Sequence, residues 1–169
     1  MNNMNDTNDK VNYLGEPVEP IPLLRKPEYG TGEIDKRGFP KIKWSLLINA
    51  DDQGFDKSHK EPNGFWRMTV TLPKKMRLIR YGTEMGHYTA PKGTEYEALS
   101  MPYIKESLFF HEYEVVADST TVVAIFNNCT VDRGIAAPGF DLPGGGVQFF
   151  HKDAMRRLIR NGVLREIEQ

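Results

Sequence analysis

Along this 169-residue chain the apolar positions fall mainly into short runs and alternations, which predict strands, and only one stretch has helical spacing. Residues 67–72 and 76–81 read as two short strands around the turn Pro73-Lys74-Lys75. At 111–116 the alternation puts His111, Tyr113 and Val115 on one face, with Glu112, Glu114 and Val116 on the other. The β-branched run at 121–126 predicts another strand, followed by a turn at Asn127-Asn128. In 146–151 one amide sits among apolar residues, so Gln148 and Phe150 share a face and Val147 and Phe149 share the opposite one. The helical stretch is 153–160: Met155, Leu158 and Ile159 stand at i, i+3 and i+4, Asp153 is placed to cap the start, and Gly162 lies past the end. Residues 95–101 allow a turn or two of helix before Pro102, and 163–167 read as a last edge strand. The glycines and prolines of 82–94 predict a loop holding Tyr88. These elements predict an α+β fold around a mostly antiparallel, split or strongly bent sheet with few short helices.

The front of the chain has a different texture. Residues 1–13 are polar and expected to be disordered, and Pro17, Pro20, Pro22, Pro27 and Pro40 favour extended backbone. We therefore divide the chain into a disordered or proline-rich arm or linker at 1–43 and a domain at 44–169. Within the domain, 44–48 is a short apolar segment and 51–63 a charged loop.

Composition narrows the class of function. With 22 basic and 23 acidic residues the net charge is -1, which provides no field of one sign to draw in nucleic acid or anionic lipid. An anionic ligand would need a local pocket. The single cysteine, Cys129, excludes an internal disulfide or a cysteine metal cluster and is expected to be a buried small hydrophobe. The start has no apolar signal-peptide core, and no apolar run is long enough for a membrane-spanning helix.

Candidate chemistry is sparse. His59, His87, His111 and His151 show no metal-binding spacing, so no metal site is expected. Glu112 and Glu114 form a carboxylate pair on one strand face, a glycosidase-like arrangement that is more often an exposed charged face. Arg77 and Arg80 lie on opposite faces, so at most one points into a site; His111 is more often a packed histidine at the core's edge than a catalyst. The glycines Gly144, Gly145 and Gly146 read either as a turn feeding a half-buried strand or as a ligand loop.

Taken together and in order, the motifs are R-Y-G at 80–82, G-H-Y at 86–88, P-K-G-T-E-Y-E at 91–97, H-E-Y-E-V at 111–115, I-A-A-P-G-F-D-L-P-G-G-G-V-Q at 135–148 and L-I-R-N-G-V-L at 158–164. This series closely resembles the tuberculosis necrotizing toxin family and covers about half of the chain. The resemblance implies an NAD glycohydrolase that cuts the nicotinamide to ribose bond of NAD and NADP without a metal or other cofactor, on a core like that of ADP-ribosyltransferases. It implies that Arg80, Tyr88, His111 and Gln148 matter for activity, and that Gly144, Gly145, Gly146, Phe140 and Tyr81 line the nucleotide site. Family members usually carry an arginine after the G-T-x-Y/F-E segment; here that position is Leu99, so Lys92 or Lys105 substitutes or nucleotide affinity is lower. The resemblance also implies a toxin delivered by another protein's apparatus into a target cell's cytoplasm, a cognate immunity protein, and neither nucleic-acid binding nor membrane insertion. An amide at Gln148 favours hydrolysis over mono-ADP-ribosyl transfer, for which the related enzymes use a glutamate. A third reading, a weakened NAD-binding module, rests on Leu99.

Overall fold

A computed structural model describes residues 21–117 and 128–168. The polar start at 1–13 and the strand predicted at 121–126 lie outside the described residues. Among the described residues are nine strands: β1 (Gly30–Ile34), β2 (Pro40–Ile42), β3 (Arg67–Thr71), β4 (Arg77–Tyr81), β5 (Tyr88–Pro91), β6 (Phe110–Val115), β7 (Thr130–Ile135), β8 (Val147–His151) and β9 (Leu164–Ile167). One α-helix, α1 (Met155–Arg160), accompanies them, with short 3-10 turns such as Trp44–Leu46 and Tyr96–Leu99. Strands β3 to β9 form a seven-stranded sheet in the order β3-β7-β8-β5-β4-β6-β9, with every neighbouring pair antiparallel.

The sheet is divided at β5. Tyr88 and Thr89 pair with Phe150 and Phe149 of β8, whereas Ala90 and Pro91 pair with Ile79 and Leu78 of β4. Half a strand therefore serves each side, and the sheet opens at this joint. The expected two strands around Pro73-Lys74-Lys75 are present, yet they are not partners: β3 pairs with β7, and β4 with β5 and β6. Lys75, at φ 78°, donates its N–H to Val115 O at 2.7 Å, so the turn carries the chain from one half of the sheet to the other. Leu72, before the turn, and Leu78, after it, join one core with Tyr113, Val115, Val131 and Phe149. Burying such side chains stabilises the fold by about 1.5–3 kcal/mol each, and here it locks the halves together. Met155 and Leu158 of α1 cover this core, as the helical spacing predicts, but Ala154 rather than Asp153 occupies the N-cap position, without a side-chain cap.

Two strands of the seven-stranded sheet escape the hydrophobic pattern. β5 lies inside the predicted loop, and β7, T-V-D-R-G-I, is interrupted by charge. Asp132 accepts a hydrogen bond from Thr69 at 3.1 Å and Arg133 pairs with Glu61, so cross-strand and loop partners satisfy groups that read as loop-like in isolation. Gly134 is required sterically: a Cβ there would lie 2.6 Å from the ring of the fully buried Phe55.

The proline-rich arm carries a two-stranded ribbon, β1–β2, that packs on the domain. Tyr29 and Ile42 bury against Phe140, and Arg25 donates to Met101 O at 2.8 Å and Phe140 O at 2.7 Å. Leu24 bridges to Tyr103, which ties the segment before the ribbon to the domain.

Candidate active site

A cavity of about 670 Å³ opens where β4, β5 and β8 meet, within the range of about 300–1,000 Å³ usual for small-molecule sites. Arg80, Tyr81, Tyr88 and Gln148 line it. Tyr88 begins β5 and faces Phe150 across the ladder, their rings 5.2 Å apart. Gln148 shares that face of β8, two residues before Phe150, as its spacing predicts. Among the described residues no hydrogen bond engages the Gln148 amide or the Tyr88 hydroxyl. Burial and then the charges of Asp51 and Asp52 push the Tyr88 phenol up to about 12, so it stays a neutral donor throughout the physiological range.

Arg80 is held under the loop joining β4 to β5. Its Nε donates to Thr83 O at 2.7 Å and its Nη1 to Tyr88 O at 3.0 Å. The fork fits because Gly86 has no side chain: a Cβ there would stand 1.7 Å from Nη2. Arg80, near the end of β4, reaches the cavity, whereas Arg77 at its start does not. Arg77 instead pairs with Glu112 at 2.9 Å and Glu114 at 3.3 Å, on the opposite face. Arg165 and Lys92 complete this surface ladder at 2.6 Å and 3.2 Å, so the carboxylate pair is structural.

Other expected lining residues lie elsewhere. Phe140 is 2% exposed and packs edge-on against Tyr29 and Trp44, its centroid 5.3 Å and 6.0 Å from theirs. The glycine run is a tight turn and not an open amide cradle: Gly145 donates to Ala136 O at 2.9 Å and Gly146 to Ala98 O at 3.0 Å. Gly144, at φ 62°, presses on the backbone of Ala136 and Ala137, where a Cβ would come within 2.6 Å. The run therefore sets the register of β8 and the position of Gln148 without lining the cavity. His111 pairs across the ladder with Arg80 but does not line the cavity either. Its Nδ1 meets Glu166 at 2.6 Å and Glu84 at 3.8 Å, and its ring stacks on Tyr113 at 5.9 Å. Glu84 belongs to the loop over Arg80, so His111 joins that loop to β9.

Leu99 lines the cavity, whereas Lys92 and Lys105 border a separate hollow of about 330 Å³ beyond Tyr81. Neither lysine lines the cavity at the Leu99 wall. Residues without a motif complete the lining, among them Arg37, Phe39, Trp44, Asp51, Asp52 and Gln53. Trp44 and Asp51 came from segments read as an apolar run and a loop, and the arm supplies Arg37. No local signal marks these residues, because tertiary packing alone brings them to the cavity.

The tuberculosis necrotizing toxin family model matches residues 71–167, more than half of the chain. The chain is 32% identical over 107 residues to the conidial surface nicotinamide adenine dinucleotide glycohydrolase nadA of Aspergillus fumigatus, an alignment covering 59% of this chain and 42% of that protein. It thus spans less than half the length of this relative. The structure of tuberculosis necrotizing toxin with its immunity factor IFT is matched at a TM-score of 0.46 and 21% identity, covering 85% of this chain and 79% of that one. Tse6, from its complex with Tsi6, is matched at 0.40 and 16% identity, over 61% of this chain and 72% of that one. The model's span takes in R-Y-G, Tyr88, His111 and the P-G-G-G-x-Q block in one continuous match, and the chain belongs to the tuberculosis necrotizing toxin family.

Proposed function

We propose that this chain is an NAD glycohydrolase toxin domain that hydrolyses the nicotinamide to ribose bond of NAD, and of NADP, to give nicotinamide and ADP-ribose. The observation that carries the reading is the convergence of Gln148, Tyr88 and Arg80 on one cavity. The likeness to a fungal NAD glycohydrolase supports it. Nicotinamide leaves a cationic pyridinium as a neutral molecule, so the leaving group needs no general acid or metal. The site has to orient the ribose, stabilise its oxocarbenium character and position a water. Water adds to the ribose C1′, the C–N bonding pair departs with nicotinamide, and a proton is released to solvent.

The residues suit these tasks. Gln148 both donates and accepts, so its amide holds a ribose hydroxyl and a water. Tyr88 offers an aromatic face and a neutral hydroxyl. Asp51 and Asp52 at the cavity place negative charge where the substrate is positive, and Arg80 offers charged donors to phosphate. Gln148 is no charged base, which favours water over a protein acceptor. The division of the sheet at β5 supports an ADP-ribosyltransferase-like core. The chain would act as a delivered effector, held inactive by an immunity protein that covers the exposed Trp44 and Met85 at the cavity.

The test is to incubate the purified chain with NAD labelled in its adenylate half. Equimolar nicotinamide and free ADP-ribose are expected. Label on protein would replace this reading with transfer, and NAD binding without turnover would replace it with a binding module. The steric fit at Gly86 yields a further expectation: Gly86→Ala displaces the Arg80 fork from Thr83 O and Tyr88 O, lowers kcat/KM for NAD by about tenfold or more, the loss of a charged hydrogen bond, and lowers the melting temperature as well. Steady-state kinetics beside thermal melts checks both halves, and full activity in Gly86→Ala would remove Arg80 from the mechanism.

A further inference from the structure

Arg37 and Arg80 are the cations lining the cavity among the described residues. Arg80 already donates to two backbone carbonyls. Arg37 comes from the ribbon turn between β1 and β2, outside the segment that the family model matches. We propose that Arg37 is a phosphate-binding residue for the dinucleotide, so that the arm preceding the family's matched segment supplies part of the substrate site. This rests on the proposed NAD reading and extends it to a residue that no motif marks.

The geometry is that of a prepared cation. Asp35 accepts from Arg37 Nε at 3.3 Å and Nη2 at 2.9 Å, and it also receives the backbone N–H groups of Arg37 and Phe39 at 2.8 Å and 2.9 Å. The Phe39 ring lies 4.1 Å from the guanidinium carbon. One edge and one face of the guanidinium are thus fixed, while its side chain is 60% exposed. A planar fork held in this way loses little freedom on taking a phosphate oxygen along its other edge. The Leu99 wall favours this assignment: Leu99 is apolar, and neither Lys92 nor Lys105 borders the cavity. Tyr103 lines the same cavity as Arg37 and Arg80. Ser100, between Leu99 and Tyr103 in the same wall, is 3% exposed and its buried hydroxyl has no partner among the described residues. A buried hydroxyl without a partner at a cavity wall fits a site completed by a polar ligand.

Calorimetric titration of ADP-ribose, with adenosine as the probe lacking phosphate, into the full chain and its Arg37→Ala and Arg37→Lys variants tests the proposal. Arg37→Ala is expected to weaken ADP-ribose binding by about tenfold or more, Arg37→Lys by less, and adenosine binding by less than about twofold. Thermal melts of the variants confirm the fold, since Arg37 is on an exposed turn. ADP-ribose affinity within about twofold of the parent in Arg37→Ala, or no ADP-ribose binding by the parent, overturns the proposal. A parent that binds ADP-ribose in an Arg37-dependent way but leaves NAD intact overturns the hydrolase reading alone.

Discussion

Replacing Gln148 with alanine is expected to lower kcat for NAD hydrolysis by about 100- to 1,000-fold, the effect of removing one polar group positioned for the transition state. The residue stands on β8, opposite Gly134 of β7, and its amide is engaged by no other described residue. Its orientation depends on strand geometry and not on a partner that alanine would strand in the core, so Gln148→Ala should fold normally. Single-turnover and steady-state assays would show a fall in kcat with a smaller change in KM if the amide acts on the transition state. An unchanged kcat in a folded variant would remove Gln148 from the chemistry and with it the central assignment of the site.

Acid is expected to destabilise the fold through His151 well before the carboxylates titrate. This imidazole is 2% exposed at the end of β8, with Nε2 at 2.7 Å from Thr89 Oγ1. Burial first, and then the charges of Arg80 and His87, hold its value down from 6.5 to about 3. Because the folded value is the lower one, the unfolded chain takes up the proton first. The contribution is therefore complete above about pH 6.5 and is lost as the pH falls towards 3, at about 1.4 kcal/mol per unit. His151→Gln keeps a hydrogen-bonding group but removes the titration. Denaturant melts between pH 7 and pH 4 should show a shallower loss of stability in this variant. Parallel slopes for the two proteins would mean that His151 is not the group responsible. Because β8 also carries Gln148, loss of packing around His151 is expected to reach the cavity.

Much of the frame was legible because period and side-chain size act locally. The alternation of β6 placed Tyr113 and Val115 in the core and Glu112 and Glu114 in an outer ladder, and the i, i+3 spacing of Met155 and Leu158 found α1. β7 was missed because its charges are satisfied only by Thr69 and Glu61, far away in the chain. β5 was missed because Gly86, Pro91 and Gly93 mark a turn-rich segment, whereas the strand between them exists only by bridging β4 and β8. The same limit applied to the glycine run. That the run permits positive φ was readable, but its use at Gly144 and Gly145 and the use of the Gly145 and Gly146 amides by Ala136 and Ala98 were not.

Local order therefore carried the strand-rich class and the faces of β6 and β8, and the family resemblance marked Arg80, Tyr88 and Gln148. Tertiary structure alone decided that β3 and β4 part company at their turn, that Phe140 lies under the arm and His111 behind the cavity, and that Arg37 reaches the cavity. The physical reason is range: side-chain periodicity and turn chemistry act over a few residues, whereas a cavity is bounded by groups that only the folded sheet and its docked ribbon bring together.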